Sequence, residues 1–312
     1  MKEFAFVFPG QGSQSVGMLA AWGEHPAVRQ TLDEASTALG EDIGQLIAQG
    51  PKAALELTTN TQPVMLTAAI ACYRAWLAEG GTEPSAAAGH SLGEYSALVA
   101  AGALSLADAL PLVRFRAQAM QQAVPVGEGA MAAILGLEAE VVRRLCLEVA
   151  TETGQAVEPA NFNDPGQTVI AGSKRAVDLA CERLKSAGAK RTLLLAVSAP
   201  FHSSLMKPAA DALRERLAST AITRPRFAVI NNIDVQVQTE PEAIKDALVR
   251  QAFGPVRWVE VIQALRARGL KHVFECGPGK VLAGLVKRVD TELISTTVLG
   301  PESMAHAKEM LV

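Results

Sequence analysis

The sequence predicts an α/β protein of two domains, and three features of the chain lead to this prediction. Its 312 residues, 49% of them hydrophobic and 20% charged, are enough for about two domains with a substantial buried core. Toward both ends, short apolar segments alternate with long helical stretches rich in Ala and Leu, which indicates a largely parallel sheet covered by helices. In the middle of the chain the pattern changes, and four strands are interrupted by only two helices.

The two ends of the chain, residues 1–125 and 198–312, form the predicted large domain. Its strands are expected at residues 4–8, 85–88, 227–231 and 272–275. The first strand ends at Pro9-Gly10, and the second carries a weak strand signal because runs of alanine favour helices. A serine motif directly after the second strand, described below, makes the expected fold of this domain α/β-hydrolase-like.

The segment 126–197 is the predicted small domain, inserted between the two parts of the large one. Its expected elements are strand 131–137, helix 139–153, strand 157–163, a turn at 164–166, strand 167–172, helix 174–187 and strand 190–195. This order of elements is that of a ferredoxin-like unit. We expect the functional site in the cleft between the two domains.

Charge and composition argue against several classes of protein. The formal net charge is -3 and there is no block of like charges, so no footprint for nucleic acid or an anionic membrane surface is present. The N-terminal apolar run is too short for a signal peptide, and no segment approaches the ~20 apolar residues of a membrane span. The four cysteines lack metal-ligand spacing, so we expect no metal, reduced thiols and a cytoplasmic protein; they are Cys72, Cys146, Cys181 and Cys276.

The stretch "AGHSLGEYSALVAAG", residues 88–102, places Ser91 between Gly89 and Gly93 at the start of a predicted helix. In a nucleophile elbow, a serine occupies the sharp turn between a strand and a helix, and glycines two positions away remove side chains that would clash. Apolar residues with helical spacing follow, and Gly102 is suited to end that helix. A plain alternative is that Ser91 caps the N-terminus of an ordinary helix.

A nucleophilic serine needs a base within hydrogen-bond reach, and the chain has five histidines. Three of them are expected to have surface or core roles: His25, His272 and His306. His90 adjoins Ser91, but neighbours at a tight turn usually point apart. The candidate base is His202 in "VSAPFHSSLM", where a strand ends and a helix begins, because strand ends present side chains to a cleft.

Six segments of the chain carry a resemblance to one known family. They are "FVFPGQGSQSVGM", "GHSLGEYSALVAAGAL", "RFRAQAMQQA", "NFNDPGQTVIAG", "SAPFHSSLM" and "ECGPGKVLAGL". Together, and in this order, they closely resemble bacterial malonyl-CoA:acyl carrier protein transacylases over nearly the whole chain. The resemblance favours Ser91 as a nucleophile over the alternative of a helix cap.

The resemblance implies a chemical role for each matching residue. Ser91 attacks the malonyl thioester, and His202 acts first as general base and then as general acid. The oxyanion is held by the main-chain N–H groups of Leu92 and of Gln11 in "PGQGSQ". A main-chain carbonyl, instead of an aspartate, orients His202, and the matching residue is Gln251 in "RQAFGPVRW". The sequence alone also allows Gln251 to be a surface residue at a helix end.

The resemblance further implies that Arg116 binds the free carboxylate of the malonyl group. A guanidinium suits this task because its two parallel N–H donors match the geometry of a carboxylate. Helical periodicity does not select this residue, since Arg114 and Arg116 flank the apolar stripe of their helix on opposite sides.

Other residues are expected near the substrate. Phe201 matches the position that varies with the extender unit in this family, and Met120 either lines the acyl pocket or belongs to the core. Asn161, with Asn163, either contacts the pantetheine arm or serves the turn at 164–166.

The predicted function is ping-pong acyl transfer, without a metal or a bound cofactor. Malonyl-CoA loads Ser91, coenzyme A leaves, and the phosphopantetheine thiol of an acyl carrier protein accepts the malonyl group. The length of the chain, without fused modules, favours fatty acid synthesis over a polyketide system. Carrier proteins are acidic, so we expect a basic rim, and the candidates are Lys190, Arg191, Lys280, Lys287 and Arg288.

Two alternative functions remain at this point. A serine esterase or thioesterase uses the same elbow and base, and Arg116 is the residue that separates it from a malonyl transferase. A non-catalytic module that binds carrier proteins would keep the fold, but its loss of function would be expected to remove at least one of Ser91, His202, Gln11 and Arg116, all of which are present.

Overall fold

The computed structural model describes residues 2–312, which form two separate sheets. The larger sheet is parallel, in the order β7-β2-β1-β8-β9, and its strands are β1 (Phe4–Phe8), β2 (Ala86–Gly89), β7 (Ala228–Ile230), β8 (His272–Cys276) and β9 (Thr297–Val298). The smaller sheet is antiparallel, in the order β4-β5-β3-β6, and its strands are β3 (Gly129–Leu135), β4 (Val157–Asp164), β5 (Gln167–Ser173) and β6 (Arg191–Leu194). The prediction of an α/β protein with a parallel sheet is confirmed.

Helices cover both sheets. Within residues 2–312, none of them combines the length and the apolar composition needed to cross a membrane. The α-helices are α1 (Pro26–Leu39), α2 (Ile43–Gln49), α3 (Lys52–Glu56), α4 (Thr58–Ala78), α5 (Gly93–Ala100), α6 (Leu106–Gln122), α7 (Ala139–Thr153), α8 (Lys174–Ser186), α9 (Lys207–Ala218), α10 (Pro241–Phe253), α11 (Trp258–Ala267), α12 (Val281–Val289) and α13 (Pro301–Leu311).

β1 is the middle strand of the large sheet, and all of its side chains are buried. Its three phenylalanines pack toward α4, where the ring centroids of Phe6 and Trp76 are 5.3 Å apart. Ala5 and Val7 belong to the apolar cluster on the opposite face, with residues of α11 and α12. The continuous apolar run of β1 therefore reflects a parallel strand covered on both faces.

β2 forms although three of its four residues are alanines. It lies between β1 and β7, and its alanines are completely buried. Pairing on both sides thus overrides the weak strand preference of alanine. The strand begins at Ala86, one residue later than expected, and ends at Gly89 in the serine motif.

The six elements predicted within 126–197 are present in the predicted order. α7 has the expected bounds. β3 begins and ends two residues earlier than expected, because Gly136, with φ of 83°, starts the following turn. The other boundaries differ from prediction by at most one residue. These strands form their own sheet, and the domain boundaries at 126 and 197 stay a prediction.

The small sheet has two different apolar faces. Ala132 and Ile134 of β3 belong to a cluster with α7 and α8. Met131 and Ala133 alternate with them and face the opposite side, where Phe201 packs against their cluster. The second face of the small sheet is therefore directed toward the large sheet and the candidate site.

One edge of β4 is hydrogen-bonded to the segment between α10 and α11. The main-chain N–H of Phe162 donates to the carbonyl of Val256, and the N–H of Val256 donates to the carbonyl of Ala160, both at 2.9 Å. Nearby, Nε of Arg288 lies 2.6 Å from Oδ2 of Asp164. These contacts attach the small sheet to the polypeptide between α10 and α11 and to the last turn of α12.

Candidate active site

Ser91 lies on the sharp turn between β2 and α5, with φ of 53°. A side chain at Gly89 would overlap the main chain of Gly93, and a side chain at Gly93 would overlap the main chain of Phe8. Both glycines are therefore needed for strand, turn and helix to approach this closely. Ser91 does not cap the helix, since Leu92 occupies the N-cap position. The turn has the geometry of a nucleophile elbow.

His202 is buried, and the structure brings it to Ser91. Its Nε2 lies 2.6 Å from Ser91 Oγ. Its Nδ1 lies 2.9 Å from the main-chain carbonyl of Gln251 and 3.1 Å from that of Gly254. Carbonyl oxygens only accept hydrogen bonds, so Nδ1 carries the proton and Nε2 is free to accept the proton of the Ser91 hydroxyl.

Gln251 is completely buried, so the alternative of a surface residue at a helix end is wrong. Its carbonyl faces His202, as the resemblance implies. Within residues 2–312, no carboxylate hydrogen-bonds to His202. The imidazole is therefore oriented by neutral acceptors alone.

Arg116 is 2% exposed and lies on the other side of the nucleophile. Its Nη1 donates to Oε1 of Gln62 at 2.9 Å, and its Nη2 donates to Oε1 of Gln251 at 3.0 Å and to Ser91 Oγ at 3.2 Å. Among the described residues these acceptors are all neutral. Arg114, in contrast, forms a bidentate ion pair with Glu41. Arg116 is thus a buried guanidinium beside the nucleophile without a carboxylate partner.

A cavity of ≈ 350 Å³ opens at these residues, between the two sheets. Ser91, His202 and Arg116 line it. Its walls also include five further residues predicted for the site, which are Gln11, Leu92, Met120, Asn161 and Phe201. Gln251 is the one predicted site residue outside this lining. In the described chain, the main-chain N–H groups of Gln11 and Leu92 have no hydrogen-bond acceptor. The cavity therefore offers two unpaired donors near Ser91.

The two asparagines of β4 differ in their surroundings. Asn161 lines the cavity, whereas Oδ1 of Asn163 lies 2.8 Å from Nε2 of His90. The following turn is instead closed by Asp164, whose Oδ1 accepts a hydrogen bond from the N–H of Gly166. His90 therefore connects the elbow to the small sheet.

Comparison with known proteins gives one consistent family. Residues 5–305 match the acyl transferase domain. The malonyl CoA-acyl carrier protein transacylase of Escherichia coli (strain K12) is 52% identical over 311 residues, which cover 99% of this chain and 100% of that protein. The chain belongs to this family of transacylases.

Solved structures agree with this transacylase family. The acyl-carrier-protein S-malonyltransferase from Burkholderia pseudomallei has a TM-score of 0.97 and 63% identity, covering 99% of this chain and 100% of that one. A malonyl-transacylase in complex with its type II PKS acyl-carrier protein has a TM-score of 0.97 and 50% identity, covering 99% and 100%. The resemblance stated from six sequence segments is confirmed.

Three buried polar residues of this transacylase site were not predicted from the sequence: Gln62, Glu94 and Asn232. The side chain of Asn232 accepts a hydrogen bond from the N–H of Ser91 at 2.8 Å and donates to the carbonyl of Gly89 at 2.7 Å. Glu94 accepts from the N–H of Asn232 at 2.8 Å and from Nε2 of Gln251 at 3.0 Å. Burial raises the pKa of Glu94 to about 7, against the opposing effect of the hydrogen bonds from Gln251 and Asn232.

Some of these residues left a signal in the sequence. Asn232 follows the predicted strand 227–231, and in a parallel sheet the carboxyl ends of strands line the site. Glu94 lies in the first turn of the helix after the elbow. Gln62 lies within the long, largely buried helix α4. Its partner, Arg116, is distant in the sequence, so the local sequence gives no signal for it.

The imidazole of His202 is neutral in this transacylase site. Burial, followed by the positive charge of Arg116, lowers its pKa to about 3. A neutral imidazole is the form that accepts a proton from a hydroxyl group. His202 is therefore in the basic form at neutral pH.

This depressed pKa predicts a pH-dependent contribution of His202 to stability. Between pH 6.5 and about 3, the unfolded chain binds a proton at this residue and the folded protein does not, so acid favours unfolding. We expect the difference in free energy of unfolding between the wild type and His202→Gln to decrease by about 2 kcal/mol from pH 7 to pH 5. Urea unfolding at both pH values measures it. If the difference in free energy of unfolding did not change with pH, the imidazole of His202 would not be neutral and buried. The control is His306→Gln, at an exposed histidine.

Proposed function

We propose that the chain is a malonyl-CoA:acyl carrier protein transacylase, which transfers malonyl from coenzyme A to the phosphopantetheine thiol of an acyl carrier protein in fatty acid biosynthesis. The observation that carries the proposal is the guanidinium of Arg116, held 3.2 Å from the Ser91 hydroxyl without a carboxylate partner in the described chain. A cation at this position favours an acyl group that has a carboxylate of its own. The names of the relatives point to the same reaction.

In the loading step, Nε2 of His202 accepts the proton of Ser91 while Oγ forms a bond to the thioester carbonyl carbon. The N–H groups of Leu92 and Gln11 stabilise the oxyanion, and losing one such donor costs about 10²- to 10³-fold in rate. The carbon–sulfur bond then breaks, and His202 returns the proton to the sulfur of coenzyme A. Malonyl remains as an ester of Ser91.

In the transfer step, the carrier thiol takes the place of coenzyme A. His202 accepts the thiol proton, the sulfur attacks the ester carbonyl, and Ser91 Oγ leaves and recovers the proton. The proposed reaction uses the chain's own groups and no bound cofactor, since coenzyme A enters as part of the substrate.

The cavity walls supply the proposed substrate contacts. The two terminal nitrogens of Arg116 bind the malonyl carboxylate in a fork-like arrangement. Met120 and Phe201 surround the acyl group, and Asn161, on the small sheet, contacts the pantetheine arm. All of these residues line the same cavity, which supports this assignment.

The finer description of the fold and location is also part of the proposal. The elbow after a parallel strand supports an α/β-hydrolase-like large domain, residues 1–125 and 198–312. The order β4-β5-β3-β6, with two helices on one face, supports a ferredoxin-like small domain, residues 126–197. The four cysteines are free thiols, as expected for a cytoplasmic protein.

Intact-protein mass spectrometry tests the proposed function. The wild type is exposed briefly to malonyl-CoA, and a phosphopantetheinylated carrier protein is then added. We expect a malonyl adduct that moves to the carrier. An adduct that decays to free malonate with or without carrier would instead indicate a thioesterase, and no adduct would indicate a non-catalytic binding module.

The proposed carrier-binding rim consists of the five cations expected from the sequence. Lys190, Arg191, Lys280 and Lys287 are exposed, and none has an ion-pair partner in the described chain. Arg288 differs, because its pairing with Asp164 of the small sheet makes it a structural contact. Reversing the charge of Arg288 would therefore disturb the attachment of the two sheets, and Lys287 is the better residue for a test.

Lys287→Glu should raise the KM for the carrier protein by about 3- to 10-fold, because a like charge now faces an acidic partner. Malonyl loading from coenzyme A should be unchanged. The control is Lys271→Glu, an exposed lysine directly before β8, at the opposite end of the parallel strands from the elbow. Steady-state transfer at varied carrier concentration measures the KM of both variants. Equal KM values for Lys287→Glu and Lys271→Glu would mean that the carrier protein does not bind at Lys287.

A further inference from the structure

Glu94 is a buried carboxyl that the proposed chemistry does not use. It is 2% exposed, and its Oε2 accepts hydrogen bonds only from neutral donors, the N–H of Asn232 and Nε2 of Gln251. No lysine or arginine of residues 2–312 forms an ion pair with it. The positive charge of Arg116 acts on this carboxyl without a direct hydrogen bond. Burying a carboxyl group without a directly paired cation is unfavourable, and such groups concentrate at functional sites.

The side chain of Gln251 connects this carboxyl to the substrate side of the cavity. Its Nε2 donates to Glu94 Oε2 and to the carbonyl of Ser91, both at 3.0 Å. Its Oε1 accepts from Nη2 of Arg116, also at 3.0 Å. An amide has one donating and one accepting end, so the two acceptors on one side determine that the oxygen faces Arg116.

We infer that Glu94 is a positioning residue that holds the Gln251 amide in this orientation and thereby aims the Arg116 guanidinium at the acyl carboxylate. This inference rests on the proposed function. Without the acceptor at Glu94, the amide loses one of the two contacts that determine its direction. If it rotates, its NH₂ group faces the guanidinium, and two donors then oppose each other. Arg116 then keeps Gln62 as an acceptor for Nη1 but loses the amide acceptor that holds Nη2.

Asn232 provides a contrast within the same network. Its side chain holds the elbow directly, through the N–H of Ser91 and the carbonyl of Gly89, and does not contact Arg116. A defect in the elbow affects every acyl group, since each one reacts at Ser91. A misdirected Arg116 affects only acyl groups that carry a carboxylate. The ratio of malonyl to acetyl loading therefore separates the two effects.

The test compares kcat/KM for loading with malonyl-CoA and with acetyl-CoA in the wild type, Glu94→Ala, Glu94→Gln and Asn232→Ala. Transfer of the wild-type malonyl adduct to a phosphopantetheinylated carrier protein tests the proposed function separately, so its failure can be told apart from a failure of this inference. We expect Glu94→Ala to lower this ratio by about tenfold or more, since small misplacements of a substrate-binding group cost up to about 100-fold. Glu94→Gln, which keeps an oxygen acceptor, should retain the ratio within about threefold. Asn232→Ala should slow both substrates equally.

Two results would overturn the inference. One is a ratio in Glu94→Ala that stays close to the wild-type value. The other is an equal loss in Glu94→Gln and Glu94→Ala, which would mean that the charge, and not the position of the acceptor, matters. If Glu94→Ala does not fold, Glu94→Asp replaces it, because its shorter side chain withdraws the acceptor from Gln251 and should lower the ratio in the same way.

Discussion

Ser91→Ala should form no malonyl adduct, and its rate of malonyl transfer should fall by about six orders of magnitude. Removing the serine or the histidine of a serine hydrolase has an effect of this size, because the covalent route is lost and only binding and oxyanion contacts remain. The structure supports the expectation, since Ser91 Oγ is the hydroxyl within 2.6 Å of His202 Nε2. Intact mass after exposure to malonyl-CoA measures the adduct, and transfer to the carrier measures the rate.

The matched control for this variant is Ser219→Ala, an exposed serine after α9, which should load as the wild type does. Circular dichroism and thermal unfolding would show whether Ser91→Ala keeps its fold. An adduct of undiminished yield in Ser91→Ala would mean that another side chain carries the acyl group, and the proposed mechanism would then be wrong.

Arg116→Ala should lower kcat/KM for malonyl loading by about two to three orders of magnitude, with a much smaller loss for acetyl loading. Removing one partner of a buried, hydrogen-bonded ion pair costs about 2–5 kcal/mol, which corresponds to losses of this order. Acetyl has no carboxylate and cannot form the ion pair. Stopped-flow loading with both coenzyme A thioesters measures the two losses.

Arg114→Ala is the matched control, because Arg114 lies on the same helix two residues away and pairs with Glu41 instead. It should leave the ratio of malonyl to acetyl loading unchanged. Equal losses for malonyl and acetyl in Arg116→Ala would mean that the arginine maintains the structure around Ser91, through its contacts with Gln62 and Gln251, and does not select the substrate.

Much of the fold could be predicted because local signals agree with tertiary packing. α7 ends at Thr153, and Gly154 after it adopts φ of 64°, the left-handed conformation that commonly ends helices. Its apolar residues recur with helical spacing and are buried against the small sheet. The boundaries of β2 and β3 were less exact, since these depend on pairing with strands that are distant in the sequence.

The candidate site could be predicted only in part, for a physical reason. The spacing around Ser91 indicates an elbow, because the glycines are a local steric requirement. The choice of Arg116 over Arg114 needed the resemblance, since both flank the same apolar stripe. Asn232 and Glu94 were missed because the hydrogen bonds that define them join residues 138 to 141 positions apart.

The main-chain hydrogen bonds between β4 and Val256 limit how the cleft can move. Moving this edge of β4 away from the segment between α10 and α11 would break both bonds and expose the buried Val256. Any opening of the cavity that keeps these bonds must therefore pivot about this edge of β4, where the small sheet is fixed to the segment between α10 and α11. We expect the size of the acyl group that the cavity admits to depend on wall side chains such as Met120 and Phe201, and substitutions at these positions to change it.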